Sequence, residues 1–125
     1  MANYELLNIV TFNVNGLGDF KKRKDMFDFF RKNPGSIFLL QETHWKAEQE
    51  NWIRSQWGYE CYVAGNNTAS RGVAVLFKNN FEYKVHNVMK DPEGRYILID
   101  IEMLDNRFTL GNVYGHSSGD HPEFF

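Results

Sequence analysis

Polar side chains follow three apolar runs of this 125-residue chain, at the points where those runs end. They are Asn13 and Asn15 after residues 6–12, Glu42 after residues 36–41, and Tyr114 at the end of residues 108–114. Because open α/β sheets place ligands beside strand ends, these residues are candidates for one shared site. A carboxylate at the end of a buried strand is costly unless it is paired or holds a cation. The pattern alone leaves open whether Glu42 holds a cation or is a solvated loop residue.

Two predicted helices lie between these strand ends. From residue 19 to residue 33, side chains of one face recur at spacings of three and four, which is typical of a helix with one buried side. The spaced positions are Phe20, Arg23, Phe27 and Phe30, with Met26 and Phe29 beside them. Asp19 is placed to cap the start of this helix, and Pro34 with Gly35 to end it. A shorter helix over residues 47–56 is expected to bury Trp52 and Ile53.

Apolar runs of strand length occupy the rest of the chain. Residues 36–41 form a nearly continuous apolar run, as in a central strand that is covered on both faces. Residues 95–102 place isoleucine at every second position, which is the period of a strand. Further runs occupy residues 59–64, 73–77 and 108–114. The order of strand, helix, strand, helix and then strands predicts an α/β (α+β) fold, with a mixed sheet and flanking helices.

Composition sets the class of protein. Apolar residues make up 42% of the chain and aromatic residues 16%, which indicates a folded domain rather than a disordered tail. The formal net charge of −2 does not by itself indicate a protein that binds nucleic acid. A single cysteine, Cys61, excludes an internal disulfide framework. No apolar run approaches the ~20 residues that a membrane span needs, so we expect no membrane partner. Residues 1–5 have no basic segment leading an apolar one, so we expect no secretory signal.

Five sequence blocks narrow the function. In order they are TFNVNGL, LLQETHW, RGVAVLF, GRYILIDIE and LGNVYG. Their order and spacing resemble the exonuclease–endonuclease–phosphatase superfamily, and most of all the apurinic/apyrimidinic endonuclease-like domain of LINE-type (non-LTR) retrotransposons. The closing DHPEFF resembles the start of the next helix in that branch. The resemblance implies half of a DNase I-like four-layer α/β sandwich. Residues 1–125 are then expected to be the N-terminal half of the domain, without the later blocks that carry a catalytic histidine and its aspartates.

The resemblance also implies roles for individual residues. Glu42 matches the metal-binding glutamate, Asn13 an asparagine that orients the catalytic groups, and Tyr114 a tyrosine that reaches the scissile phosphate. Asn15 and His44, beside them, are expected to contact substrate. The cofactor implied is Mg²⁺, with Mn²⁺ as a substitute. Binding should be weak in this chain, because one carboxylate and amides make a poor ligand shell.

Arg71 and Arg95 lie at the starts of two strands, where they could contact a phosphate backbone. The alternative, that both side chains are simply solvated, has equal weight. The family follows its tyrosine with alanine or glycine, then proline and asparagine, whereas this chain has His116 and Ser117 in the last two places. Ser117 can still donate to a phosphate, but the usual amide is missing. The basic residues 21–24 are either a DNA contact or, more simply, a solvated helix face.

The function implied is a fragment of a magnesium-dependent DNA endonuclease that nicks target DNA for target-primed reverse transcription. We expect the fragment to be inactive alone, and the parent protein to bind DNA in the nucleus. One alternative is a non-catalytic half-domain that self-associates or binds DNA. Another is a phosphatase or phosphodiesterase of the same superfamily. If each half of the domain supplies one sheet, an uncovered apolar face predicts a homodimer or a domain-swapped oligomer.

Overall fold

The computed structural model describes residues 7–68 and 70–115. Its helices and strands follow the chain in the order β1 (Ile9–Asn13), α1 (Phe20–Lys32), β2 (Ile37–Gln41), a 3₁₀ turn (Ala47–Gln49), α2 (Glu50–Trp57), β3 (Cys61–Ala64), β4 (Val73–Phe77), β5 (Lys84–Lys90), β6 (Tyr96–Met103) and β7 (Asn106–Val113). One sheet has the strand order β1-β2-β4-β3, and the other has the order β5-β6-β7. The first sheet is mixed, because β1 and β2 are parallel while β4 is antiparallel to β2 and β3. The fold is therefore the α/β sandwich that the sequence predicts.

The first helix begins and ends where its sequence predicts. The Asp19 side chain accepts a hydrogen bond of 2.9 Å from the backbone N–H of Lys22, which satisfies one of the free donors at the helix start. Phe27 and Phe30 are buried on its inner face, and Phe30 stacks on Phe38 of β2. In α2 the inner face is formed by Ile53 and Trp57. The expectation that Trp52 is buried was wrong, because its ring lies on the outer surface and is 53% exposed.

The two sheets of this chain pack against each other. Isoleucines of β6 meet the inner face of β2 and β4, and the core between the sheets includes Ile37, Val73, Val75, Phe77, Ile97, Ile99, Ile101 and Leu110. A second core lies between α1, α2 and the outer face of the first sheet. The assumption that this chain supplies a single sheet was therefore wrong. The inner faces of both sheets are covered within one chain, which removes the physical reason given for a dimer.

Strand β5 is absent from the sequence-based expectation. Its pairing with β6 contains a register shift between Val85 and Asn87, so the apolar residues that face inward, Val85 and Val88, are three positions apart. A bulge of this kind breaks the period of two on which the prediction depends. Strand β6 has the alternation expected of it, with every second residue buried.

The sandwich has two distinct ends. At one end, which we call the Glu42 end, β1, β2, β3 and β7 finish and β4 and β6 begin. At the other, which we call the hairpin end, Leu104 and Asp105 form the tight turn from β6 to β7. The candidate residues that the structure describes follow or precede strands at the Glu42 end. Within residues 7–68 and 70–115, no helix is long and apolar enough to cross a membrane.

Candidate functional site

Backbone hydrogen bonds join the loops of the Glu42 end to one another. The N–H of Gly16 donates to the Glu42 carbonyl at 2.7 Å, and the N–H of Leu17 donates to the Thr43 carbonyl at 2.9 Å. On the other side of the Glu42 loop, His44 N–H donates to the Arg71 carbonyl at 2.7 Å. Each bond connects two different loops. The position of Glu42 is therefore set from both sides.

The same loops hold an unusual backbone conformation. Four residues other than glycine have positive φ here, namely Asn15 (51°), Glu42 (54°), His44 (61°) and Arg71 (59°). Each such residue costs of the order of 1 kcal/mol relative to an ordinary conformation. Costs of this kind persist where the surrounding structure fixes the backbone, and they concentrate at functional sites. The clustering at one end of the sandwich marks this end as the candidate site.

Glu42 and Tyr114 meet across the two sheets. The Tyr114 side chain is 8% exposed, and its hydroxyl lies close enough to the Glu42 carboxylate for the two groups to interact. Burial raises the pKa of Tyr114; the Glu42 charge raises it further and the Arg71 charge lowers it. The phenol therefore stays protonated at neutral pH and remains a hydrogen-bond donor.

Asn13 lies on the same side of the molecule as Tyr114. A groove of about 420 Å³ runs between the edge strands β1 and β7, and its lining residues are Thr11, Asn13, Leu39, Gln41 and residues 111–115. The Asn13 amide oxygen accepts a hydrogen bond of 3.1 Å from the backbone N–H of Asn15, which orients the amide. The structure thus brings Asn13, Glu42 and Tyr114 to one place, as their positions at strand ends predict.

The predicted substrate-contacting residues are placed differently from one another. The His44 ring packs on Gly16, where an added Cβ would lie 2.9 Å from its Nδ1 atom. Arg71 is near enough to Glu42 and Tyr114 to affect the pKa of the phenol. Arg95 lies at the start of β6, and its guanidinium forms an ion pair of 2.7 Å with buried Asp91. Its contact to phosphate remains a prediction, as does that of Ser117, which lies outside the described residues.

Asn112 is a residue of the site that the sequence reasoning missed. It lies in β7, is 2% exposed, and donates from its amide nitrogen to the carbonyls of Leu40 at 2.9 Å and Ala74 at 2.8 Å. Its amide oxygen accepts from the Gln41 side chain at 2.8 Å. Asn112 therefore ties the second sheet to the first directly beneath Glu42. The signal was present in the sequence, since an asparagine stands at an inward position between Leu110 and Tyr114, where the alternation calls for an apolar residue.

The donor set suits a hard cation only in part. A Glu42 carboxylate and an Asn13 amide oxygen are ligands that Mg²⁺ accepts, with water completing its shell. Within the described part of the chain, no group of three or more His, Cys, Asp or Glu side chains converges on one point. The residues present therefore fit one side of a magnesium site. When bound, the ion would neutralise charge on phosphate oxygens.

The sequence of this chain matches a known family and a known protein. The sequence profile of the Endonuclease/Exonuclease/phosphatase family matches residues 10–123. A "Transposon TX1 uncharacterized 149 kDa protein" of Xenopus laevis is 28% identical over 120 residues, which are 95% of this chain and 9% of that protein. The chain therefore spans only a small part of this relative.

Solved structures share the fold. The AP endonuclease LMAP from Leishmania major matches with a TM-score of 0.69 and 19% identity, over 90% of this chain and 41% of that one. The 3′ phosphatase NExo from Neisseria, solved with a product DNA hairpin, matches with a TM-score of 0.65 and 23% identity, over 95% of this chain and 46% of that one. The chain thus spans less than half of each of these two proteins. At these identities the matches establish the fold alone.

Proposed function

Because the chain belongs to the Endonuclease/Exonuclease/phosphatase family, we propose that it forms the Glu42-centred half of a magnesium-dependent DNA endonuclease. The observation that carries the proposal is the placement of the Glu42 carboxylate beside the Tyr114 hydroxyl, next to a groove that Asn13 and Tyr114 both line. A carboxylate, a phenol donor and an amide are the groups that hold a cation and a phosphate next to each other. The similarity to a transposon protein supports cleavage of target DNA during retrotransposition as the biological setting. A nuclear location for the parent protein remains a prediction.

Each candidate residue of this chain has a separate role in the proposed reaction. Glu42 and Asn13 would hold the magnesium ion, and the Tyr114 hydroxyl, which lies beside Glu42, would turn its one proton to a non-bridging phosphate oxygen when substrate is bound. Arg71 adds positive charge beside the pair and attracts the DNA backbone. A base is also needed to take a proton from the attacking water. The resemblance places that base in the second half of the domain, so we expect the chain by itself to lack nuclease activity.

The deciding experiment has a binding arm and a cleavage arm. In the first, Mg²⁺ is titrated into the ¹⁵N-labelled chain, and saturable shifts are expected at residues 42–44 and Tyr114. Glu42→Gln should weaken binding by roughly tenfold or more, since it removes the one charged ligand. Glu48→Gln is the matched control, because Glu48 is an exposed residue of the 3₁₀ turn. Equal affinity in the two variants would contradict the role of Glu42.

In the cleavage arm, supercoiled plasmid is incubated with the chain and with any longer product of the same reading frame. We expect no magnesium-dependent nicking by the chain alone, and nicking by a longer product that carries the remaining blocks. Nicking by the chain alone that disappears in Glu42→Gln would contradict the expected inactivity. A complete domain that fails to nick DNA would contradict the endonuclease proposal.

A non-catalytic role is the second candidate, and one observation favours it. The described residues include no acidic or histidine cluster of the size that a complete metal site needs. Such a half-domain would bind duplex DNA without magnesium, and its affinity would fall steeply with salt. Fluorescence anisotropy with and without the ion separates the two candidates. Light scattering of the same samples tests self-association, which remains a prediction.

A third candidate keeps the site and changes the substrate. The fold is shared with a 3′ phosphatase, so a phosphomonoester at a DNA end is an alternative to an internal phosphodiester. Release of phosphate from a 3′-phosphorylated oligonucleotide by the longer product, without plasmid nicking, would favour this candidate.

A further inference from the structure

The most unusual side chain outside the strand ends is Arg23. Although it belongs to the basic residues 21–24, it is 1% exposed, so the solvated-face interpretation was wrong for this residue. No ion pair among the described residues includes it, and its Nη2 atom has no hydrogen-bond partner. Burying an unpaired cation is costly, and an apolar side chain of similar length would fill the same space more cheaply. The cost of burying this guanidinium must therefore be offset by specific contacts.

The hydrogen bonds of Arg23 supply those contacts. Its Nη1 donates to the carbonyls of Leu17 at 3.0 Å and Gly18 at 3.1 Å, and its Nε donates to the Gln56 side chain at 2.5 Å. Its guanidinium lies over the Trp52 ring, 4.4 Å from the ring centre. Arg23 is thereby fixed between α1 and α2 and points at the loop that follows β1.

Leu17 is where that loop meets the Glu42 loop. The Leu17 carbonyl accepts a second hydrogen bond of 2.8 Å from the Trp45 indole, and the Leu17 N–H donates to Thr43. One residue earlier, the N–H of Gly16 donates to the carbonyl of Glu42 itself. A single loop carbonyl therefore receives donors from the helix and from the Glu42 loop at once.

We propose that Arg23 is a positioning residue that holds residues 14–18 against residues 42–45 and so fixes the carboxylate of Glu42 relative to Asn13. Its importance for magnesium rests on the proposed function, whereas its effect on the loops does not. Lysine is a poor substitute, because one ammonium lacks the planar fork that spans two carbonyls. If Arg23 is replaced, Trp45 still donates to the carbonyl of Leu17, but the carbonyl of Gly18 loses its donor.

Native-state hydrogen exchange of the chain tests the proposal with Arg23→Met. Methionine fills a similar space without charge, so the melting temperature should stay within roughly 4 °C of that of the parent chain. The amides of Gly16 and Leu17 should nevertheless exchange at least about tenfold faster, because their loop loses two hydrogen bonds. Amides of β4 should keep their rates. Lys24→Met, on the exposed side of the same helix, should change neither.

In Arg23→Lys, the exchange rates of the same two amides should lie between those of the parent chain and those of Arg23→Met. If Arg23→Met does not fold, the rates in Arg23→Lys decide the question. Unchanged rates at Gly16 and Leu17, or equal acceleration at β4, would overturn the proposal. A magnesium titration of the same variants separates this inference from the proposed function. If the parent chain binds no magnesium, the metal site fails, while the exchange rates still decide whether Arg23 holds the loops.

Discussion

Both ends of the sandwich contain residues other than glycine with a left-handed backbone, but these residues serve different purposes. At the hairpin end, Leu104 and Asp105 have φ values of 51° and 63° within a two-residue turn between β6 and β7. A turn of that kind requires positive φ at both positions, because only then does its twist match that of the strands. At the Glu42 end, four such residues lie in three separate loops, and three of them, Glu42, His44 and Arg71, are hydrogen-bonded to a loop other than their own.

The difference shows what the unusual backbone achieves. At the hairpin end it reverses the chain locally, and any residue tolerant of positive φ would serve. At the Glu42 end it turns backbone N–H and carbonyl groups of separate loops toward one another, as between Glu42 and Gly16 and between His44 and Arg71. Positive φ at the hairpin end is needed only to form one hairpin turn. Positive φ at the Glu42 end is needed to join the loops of the candidate site. Substitutions at the two ends should therefore change the stability of the chain to different extents.

The largest effect is expected where the loops approach most closely. An added Cβ at Gly65, at the Glu42 end, would lie 1.9 Å from the backbone oxygen of Trp45. Gly58 follows α2 and precedes β3 at the opposite end of the first sheet, and nothing lies within 4 Å of a Cβ added there, where φ is 95°. Gly65→Ala should therefore lower the free energy of unfolding by about 3 kcal/mol, because backbone must move. Gly58→Ala should cost about 1 kcal/mol, from its φ alone. Urea denaturation measures both, and equal losses would remove the proposed contrast between the ends.

An intermediate effect is expected at the turn before β6. Buried Asp91 accepts hydrogen bonds from the backbone and side chain of Arg95, and these bonds, led by the side-chain bond, hold the pKa of Asp91 below its ordinary value. Asp91→Asn should lower the free energy of unfolding at neutral pH by about 2 kcal/mol. Asp105→Asn, in the exposed hairpin turn, should cost less than about 0.5 kcal/mol.

The sign of the pH dependence follows from the depressed pKa. The stabilisation by Asp91 is fully present above the unfolded pKa of about 4, and it is lost as the pH falls through the lower folded value. Below that value, the parent chain and Asp91→Asn should therefore converge in stability. Urea denaturation between pH 7 and pH 2 measures the convergence. A constant difference across that range would show that the charge of Asp91 is not the cause.

The smallest effect is a gain in stability. Arg71 has a φ of 59°, and glycine adopts that conformation without the cost borne by other residues. Arg71→Gly should raise the free energy of unfolding by about 1 kcal/mol, and Arg71→Ala should leave it within about 0.5 kcal/mol. Both should weaken DNA binding equally, since both remove the charge. A gain in stability for Ala as large as for Gly would show that the side chain, rather than the backbone, carries the cost.

The sequence predicts most of the fold because its strands and first helix obey simple periods. Asp19 caps α1, β2 is central, and β6 alternates, each as the pattern indicates. The failures have physical causes. Strand β5 contains a bulge that disrupts its alternation, and Trp52 lies on the outer face of α2 beside a guanidinium rather than in the core.

The candidate site is predictable to a smaller extent. Parallel pairing brings the ends of β1 and β2, and so Asn13 and Glu42, to one edge, and packing of the second sheet on the first brings Tyr114 after β7 to the same end. The groups that fix them are not predictable in this way. Arg23 falls on the spaced face of the first helix and Asn112 at an inward position of β7, so the sequence marks both as polar residues at buried positions. Their partners are not marked in the sequence, and only the buried hydrogen bonds show which loops and strands they connect.

The bonds of Asn112 have a consequence for biosynthesis. Its side chain reaches carbonyls that lie 72 and 38 positions earlier in the sequence, at Leu40 and Ala74. Contacts of such long range form late, since the intervening chain must be ordered first. On the ribosome, Glu42 therefore emerges well before the strand that anchors it. The nascent chain acquires its candidate site only after β7 has left the exit tunnel, and premature release upstream of Asn112 yields a polypeptide without it.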